Sequence, residues 1–95
     1  METKEAYKNK LKAQLAEWEA QINLFAAKTN NVAADVRVKY AQELDELREK
    51  QRKASEKLKE LEHASGAAWQ EVKLSADQTW DELKSGVARA ISKFK

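Results

Sequence analysis

Residues 40–61, YAQELDELREKQRKASEKLKEL, decide the fold class of this chain. Apolar or small side chains recur here in alternating steps of four and three, and charged residues fill most positions between them. That spacing keeps one face of a helix apolar and is the heptad pattern of coiled coils. The face is made by Tyr40, Leu44, Leu47, Gln51, Ala54, Leu58 and Leu61. Gln51 puts a polar group on it, which favours one register over others.

The apolar face continues toward the N-terminus. Steps of three and four link Leu11 to Val36, and the four-residue step from Val36 to Tyr40 is a stutter that locally unwinds a supercoil. We call the following set the heptad seam and predict that it mediates self-association: Leu15, Trp18, Ile22, Phe25, Val32, Val36, Tyr40, Leu44, Leu47, Gln51, Leu58 and Leu61.

The last third of the chain has an eleven-residue period. The segment WQEVKLSADQT beginning at Trp69 aligns with WDELKSGVARA beginning at Trp80, and Ile91 follows at the same interval. An eleven-residue repeat averages about 3.67 residues per turn, which predicts a straight, amphipathic helix. Its apolar side, the C-terminal stripe, is predicted to contact lipid or a partner. The stripe consists of Trp69, Val72, Trp80, Leu83, Val87, Ile91 and Phe94.

Two places favour a break in the helix, residues 29–31 and residues 65–66, because Asn and Gly often end helices. The apolar phase nevertheless runs through both. We therefore expect an all-α fold in one domain, residues 1–95, as a very long helix or two near-collinear helices with a hinge near 65–66. A single rod would be about 140 Å long and would form an oligomeric coiled coil. A three-helix bundle is the alternative.

Composition excludes several classes of protein. Ala, Glu, Lys, Leu and Arg fill 55 of 95 positions without any Pro, which points to long helices rather than a β-rich fold. Without Cys there is no disulfide or zinc-thiolate site. No apolar run approaches the roughly 20 residues that cross a bilayer, so we expect a cytoplasmic protein. A net charge of +2, with both signs interleaved, argues against nucleic-acid binding.

The sequence offers few candidate residues for a metal site or a catalytic site. Glu60 and His63 have the Glu-x-x-His spacing of di-iron helical bundles, but Leu61 lies on the heptad seam, so both side chains should point to solvent. We predict no metal and no cofactor. One His, scattered Ser and carboxylates interleaved with Lys and Arg offer no convergent catalytic pocket, so we predict that the protein is not an enzyme.

The chain resembles short bacterial coiled-coil proteins of unknown function. The resemblance rests on LAEW at residues 15–18, AAD at 33–35, the charged heptads of 44–61, and the tryptophans in 68–69 and 79–81. The eleven-residue unit is similar to the amphipathic helices of apolipoproteins and late-embryogenesis-abundant proteins. The first resemblance implies helix association, and the second implies binding to a lipid surface.

Sequence therefore predicts a self-associating coiled-coil protein with a structural, scaffolding or adaptor role. Its expected partners are further copies of itself or a helix of another protein. The alternative is a reversible lipid-surface protein, linked to stress, whose amphipathic C-terminal helix binds a membrane surface.

Overall fold

The computed structural model describes residues 3–93, which form three α-helices joined by two short turns. Helix α1 spans Lys4–Thr29, α2 spans Ala34–His63 and α3 spans Trp69–Ser92. The all-α class is confirmed. Of the two predicted architectures, the structure has the three-helix bundle.

The helix boundaries have local causes. Thr3 begins α1 as its N-cap, because its hydroxyl accepts a hydrogen bond from the backbone N–H of Ala6 at 3.1 Å. Glu5 in the first turn and Lys28 in the last complement the helix dipole. Helix α2 ends where Ala64 adopts an extended conformation, and the Gly66 turn then leads into α3. Both predicted break points are thus turns.

Cross-helix contacts define an up-down-up bundle. The Lys4 ammonium at the start of α1 donates to the carbonyl of Ala64, just after α2, at 2.7 Å. At the opposite end, Lys93 forms an ion pair of 2.6 Å with Glu43 near the start of α2. Helix α2 is therefore antiparallel to its two neighbours, and α1 and α3 run in the same direction.

The core lies along the axis of the bundle and draws on all three helices. Ile22, Leu61 and Leu83 are its largest fully buried side chains, one from each helix. The buried apolar residues are Tyr7, Leu11, Ile22, Phe25, Leu47, Ala54, Leu61, Ala76, Trp80, Leu83, Val87 and Ala90. Each helix alone could not bury its apolar face, and the bundle does so within one chain.

The expectation of one continuous rod, or of two collinear helices, is corrected by this path. The chain reverses twice, so its longest dimension is 51 Å rather than about 140 Å. The unbroken apolar phase led to a wrong prediction because, after a turn, the next helix can have any orientation about its own axis. Phase across residues 30–33 or 64–68 therefore carries no information on whether the helix continues.

Candidate functional site

Most of the heptad seam packs inside one chain. Its buried members are Ile22, Phe25, Leu47 and Leu61. Its partly buried members, which pack against that core, are Leu15, Trp18, Tyr40, Leu44 and Leu58. Gln51 is half-buried on α2. Val32 is half-buried in the connection between α1 and α2, and Val36 is exposed near the start of α2. A role for this seam in self-association stays a prediction.

The C-terminal stripe is also largely internal. Trp80, Leu83 and Val87 are buried, and Trp69 and Val72 are half-buried against the core. Ile91 is 37% exposed at the edge of the stripe, and Phe94 lies outside the described residues. Lipid or a partner could reach most of this stripe only if α3 moved away from the bundle.

Glu60 and His63 are both exposed on α2. Within residues 3–93 no group of three or more His, Cys, Asp or Glu side chains is arranged to hold a metal ion. The remaining candidate for a functional site is a cleft rather than a cluster of reactive groups.

That cleft separates α1 from α3. Helix α2 packs closely on both neighbours, whereas α1 and α3 pack least against each other. The middle of the cleft has a volume of about 450 Å³, and Tyr7, Trp18 and Trp80 line it. Between α2 and α3 the hollow beside Leu47 and Gly86 measures only about 10 Å³, although a hollow of about 530 Å³ lies at one end, beside Tyr40 and Lys93.

The cleft is open at both of its ends. Toward the start of the two helices a hollow of about 860 Å³ is lined by Lys4, Trp69 and Leu74. Toward their ends a hollow of about 260 Å³ is lined by Leu24 and Ile91, among others. Leu74 is 74% exposed and Leu24 is 57% exposed. The bundle therefore has a partly open face that is apolar near Leu74 and near Leu24 and Ile91.

Polar contacts cross the cleft near the start of α1, where the Tyr7 hydroxyl lies 3.3 Å from the carbonyl oxygen of Lys73. The Tyr7 hydroxyl on α1 donates a hydrogen bond to a carboxylate oxygen of Asp77 on α3. The Lys73 ammonium lies 5.3 Å from the centroid of the same tyrosine ring, within the range of a cation–π interaction. In the described part of the chain, the buried indole N–H of Trp80 has no hydrogen-bond acceptor.

Charged side chains line the same central cleft. Lys10 and Glu17 come from α1, and Asp81 and Lys84 come from α3. Among residues 3–93 none of these four forms an ion pair within 4 Å. Each can therefore pair with a charge on an incoming surface without breaking a bridge that the fold uses.

The residues that border the cleft follow two heptad patterns that our sequence reasoning missed. We call them the outer stripes. The outer stripe of α1 is Lys10, Gln14, Glu17, Gln21, Leu24 and Lys28. The outer stripe of α3 is Gln70, Leu74, Asp77, Asp81, Lys84, Ala88 and Ile91. Both advance in steps of four and three, which was the available signal, but their mixed polarity looks like an ordinary solvated face.

Comparisons with protein-family models, curated proteins and solved structures find no match to this chain. The resemblances to bacterial coiled-coil proteins, apolipoproteins and late-embryogenesis-abundant proteins therefore stay predictions. No helix among the described residues is long and apolar enough to cross a membrane.

Proposed function

We propose that this protein is a non-enzymatic scaffolding or adaptor module that acts by helix association, with the face between α1 and α3 as its binding surface. The observation that carries the proposal is the open cleft between two outer stripes with heptad spacing. A helix laid along such a cleft would complete a four-helix arrangement and bury the exposed side chains of Leu24, Leu74 and Ile91.

The heptad spacing of the outer stripes supports helices as the partner class. Side chains in steps of four and three lie along one helix face, and another helix can pack into the grooves between them. The α3 stripe places Leu74 and Ile91 on either side of a charged centre, and the α1 stripe is polar apart from Leu24, a mixture that suits an interface with a polar rim. A small-molecule pocket would instead be more enclosed than this long cleft.

Substitutions at exposed cleft residues test the proposal without disturbing the core. Leu24→Glu and Leu74→Glu place a carboxylate at each end of the cleft. Val38→Glu is the matched control, because Val38 is 61% exposed on α2 and does not line the cleft. Mass is measured by sedimentation equilibrium from low micromolar to near-millimolar protein. Association that is lost in both cleft variants and kept in Val38→Glu supports the proposal; equal behaviour of all three variants overturns it.

A lipid surface is the second candidate partner. It is favoured by the Trp80 indole N–H, which is buried without an acceptor in the bundle as described, whereas a membrane interface offers both acceptors and water. Helix α3 would swing out at the 64–68 turn and place its tryptophan-bearing stripe on lipid. Few side-chain hydrogen bonds and ion pairs tie α3 to the other helices, chiefly those of Tyr7 and of Glu43 with Lys93.

Co-sedimentation with anionic vesicles distinguishes the two candidates. The lipid model predicts binding that increases when Tyr7→Phe removes the hydrogen bond between α1 and α3, because α3 is then released more easily. Glu46→Gln is the control, since Glu46 is exposed on α2 and forms no ion pair with another described residue. Absence of binding by both the natural chain and Tyr7→Phe eliminates the lipid model.

A further inference from the structure

We infer that the α1–α3 face packs against the same face of a second copy of this chain, related by a two-fold axis that runs across the helices, so that each helix lies antiparallel to its own copy. The inference rests on the proposed function and specifies its partner. It follows from the outer stripe of α3, in which one pair of opposite charges and one pair of large apolar residues match when the direction of the stripe is reversed.

The outer stripe of α3 has an order of side chains that suits contact with a reversed copy of itself. Its centre lies between Asp81 and Lys84, which have opposite charges and are both exposed. Leu74 precedes Asp81 by seven residues and Ile91 follows Lys84 by seven, and these are the exposed apolar residues of the stripe. Reversing the stripe about its centre therefore places Asp81 opposite Lys84 and Leu74 opposite Ile91, while Asp77 falls opposite the small side chain of Ala88.

A two-fold interface requires this kind of order, because each contact between residues i and j occurs twice with the roles exchanged. In the antiparallel arrangement Asp81 faces the partner's Lys84, and Leu74 faces the partner's Ile91. Antiparallel α3 helices also align their dipoles favourably. A stripe bearing a single charge sign would instead repel its own copy.

Helix α1 contributes one pair of opposite charges at the same level of the bundle. Lys10 and Glu17 are seven residues, or two helical turns, apart and carry opposite charges. The hydrogen bond between Tyr7 and Asp77 aligns the two helices, so the midpoint of Lys10 and Glu17 lies near the level of residues 81–84. The same two-fold axis therefore places Lys10 opposite the partner's Glu17 and Asp81 opposite the partner's Lys84.

Two charge reversals test this register. In a homodimer of Asp81→Lys, or of Lys84→Glu, both central pairs of α3 become repulsive. When the two variants are mixed, the heterodimer restores opposite charges at both pairs. Surface pairs contribute roughly 0.2–1 kcal/mol each, so we expect each homodimer to be weakened by about tenfold or more and the heterodimer to approach the natural affinity.

Native mass spectrometry and sedimentation equilibrium of the separate and mixed variants measure this. Controls with the same charge changes are Asp45→Lys and Lys53→Glu, which lie exposed on α2 and should alter neither dimer. Heterodimers in strong excess over both homodimers support the inference. Association of the natural chain without selective heterodimers overturns this register but leaves helix association standing. A natural chain that stays monomeric throughout overturns both.

Discussion

Leu47 on α2 occupies the space that a side chain at Gly86 on α3 would need, because a Cβ at Gly86 would lie 3.0 Å from Leu47 Cδ2. The α2–α3 interface is therefore closely packed, while the face between α1 and α3 holds a cleft of about 450 Å³. This difference in packing favours the α1–α3 face as the one that accepts another helix.

Gly86→Val should test that close approach. The added methyl groups must displace Leu47, which is itself 2% exposed, so we expect the free energy of unfolding to fall by about 1–3 kcal/mol. Urea denaturation measures the change. Gly66→Ala is the control: no heavy atom lies within 4 Å of its Cβ position and its φ is not positive, so a gain of about 0.4–1 kcal/mol is expected. A stabilised Gly86→Val would contradict the packing described here.

Two leucines of α3 should respond oppositely to truncation. Leu83 is fully buried, so Leu83→Ala should lower the free energy of unfolding by about 2–5 kcal/mol. Leu74 is mostly exposed, so Leu74→Ala should change it by no more than about 0.5 kcal/mol. Thermal and urea unfolding of dilute protein, where association is minimal, check this. Similar losses in the two variants would mean that α3 is rotated relative to the structure.

The hydrogen bond from Tyr7 to Asp77 should couple α1 to α3. Tyr7→Phe and Asp77→Ala each remove it, so a double-mutant cycle should give a coupling of about 1.5 kcal/mol, the range for bonds to charged groups. Urea unfolding of the two single variants, the double variant and the natural chain provides the four free energies. Strictly additive losses would show that this bond does not join the helices in solution.

Acid should weaken the link between α1 and α2. A hydrogen bond from Lys12 lowers the pKa of Glu62 in the folded chain. The unfolded chain therefore binds a proton at Glu62 more readily, and this contribution is complete above the ordinary Glu pKa and is lost as the pH falls through the lowered value. We expect Lys12→Met to reduce the acid dependence of the urea midpoint slightly.

Lys59→Met is the control for that titration, because Lys59 is exposed on α2 and forms no ion pair with any other described residue. Its urea midpoint should keep the acid dependence of the natural chain. An unchanged acid dependence in Lys12→Met would show that the pair with Glu62 does not stabilise the fold.

Periodicity in the sequence predicted the helical class and the apolar faces that carry Ile22, Leu61 and Leu83, because burial imposes the helical repeat directly. It assigned those faces to other chains or to lipid, whereas they pack together within one chain. It did not decide between rod and bundle. Whether the helix continues through Gly66 depends on where its apolar faces bury more area, against the other helices of the same chain or against another chain. The phase of the apolar residues near Gly66 does not measure that area.

The candidate site was harder to predict than the core. Its residues are mostly polar with a few apolar ones, such as Glu17 and Leu24 on α1, and a stripe of this composition resembles a solvated face until a neighbouring helix places it beside a cleft. Leu74 is on a different side of α3 from the C-terminal stripe that contains Trp80. Its exposure indicates a binding surface only because the bundle places it at the end of the cleft.

The most direct measurement is a dilution series followed by backbone amide NMR of the natural chain. Helix association through the α1–α3 face predicts concentration-dependent shifts along the outer stripes, at residues such as Glu17, Leu24, Leu74 and Lys84. The outward face of α2, including Val38, should remain unchanged. Shifts concentrated on α2, or none up to near-millimolar protein, would contradict the assignment of this face as the binding surface.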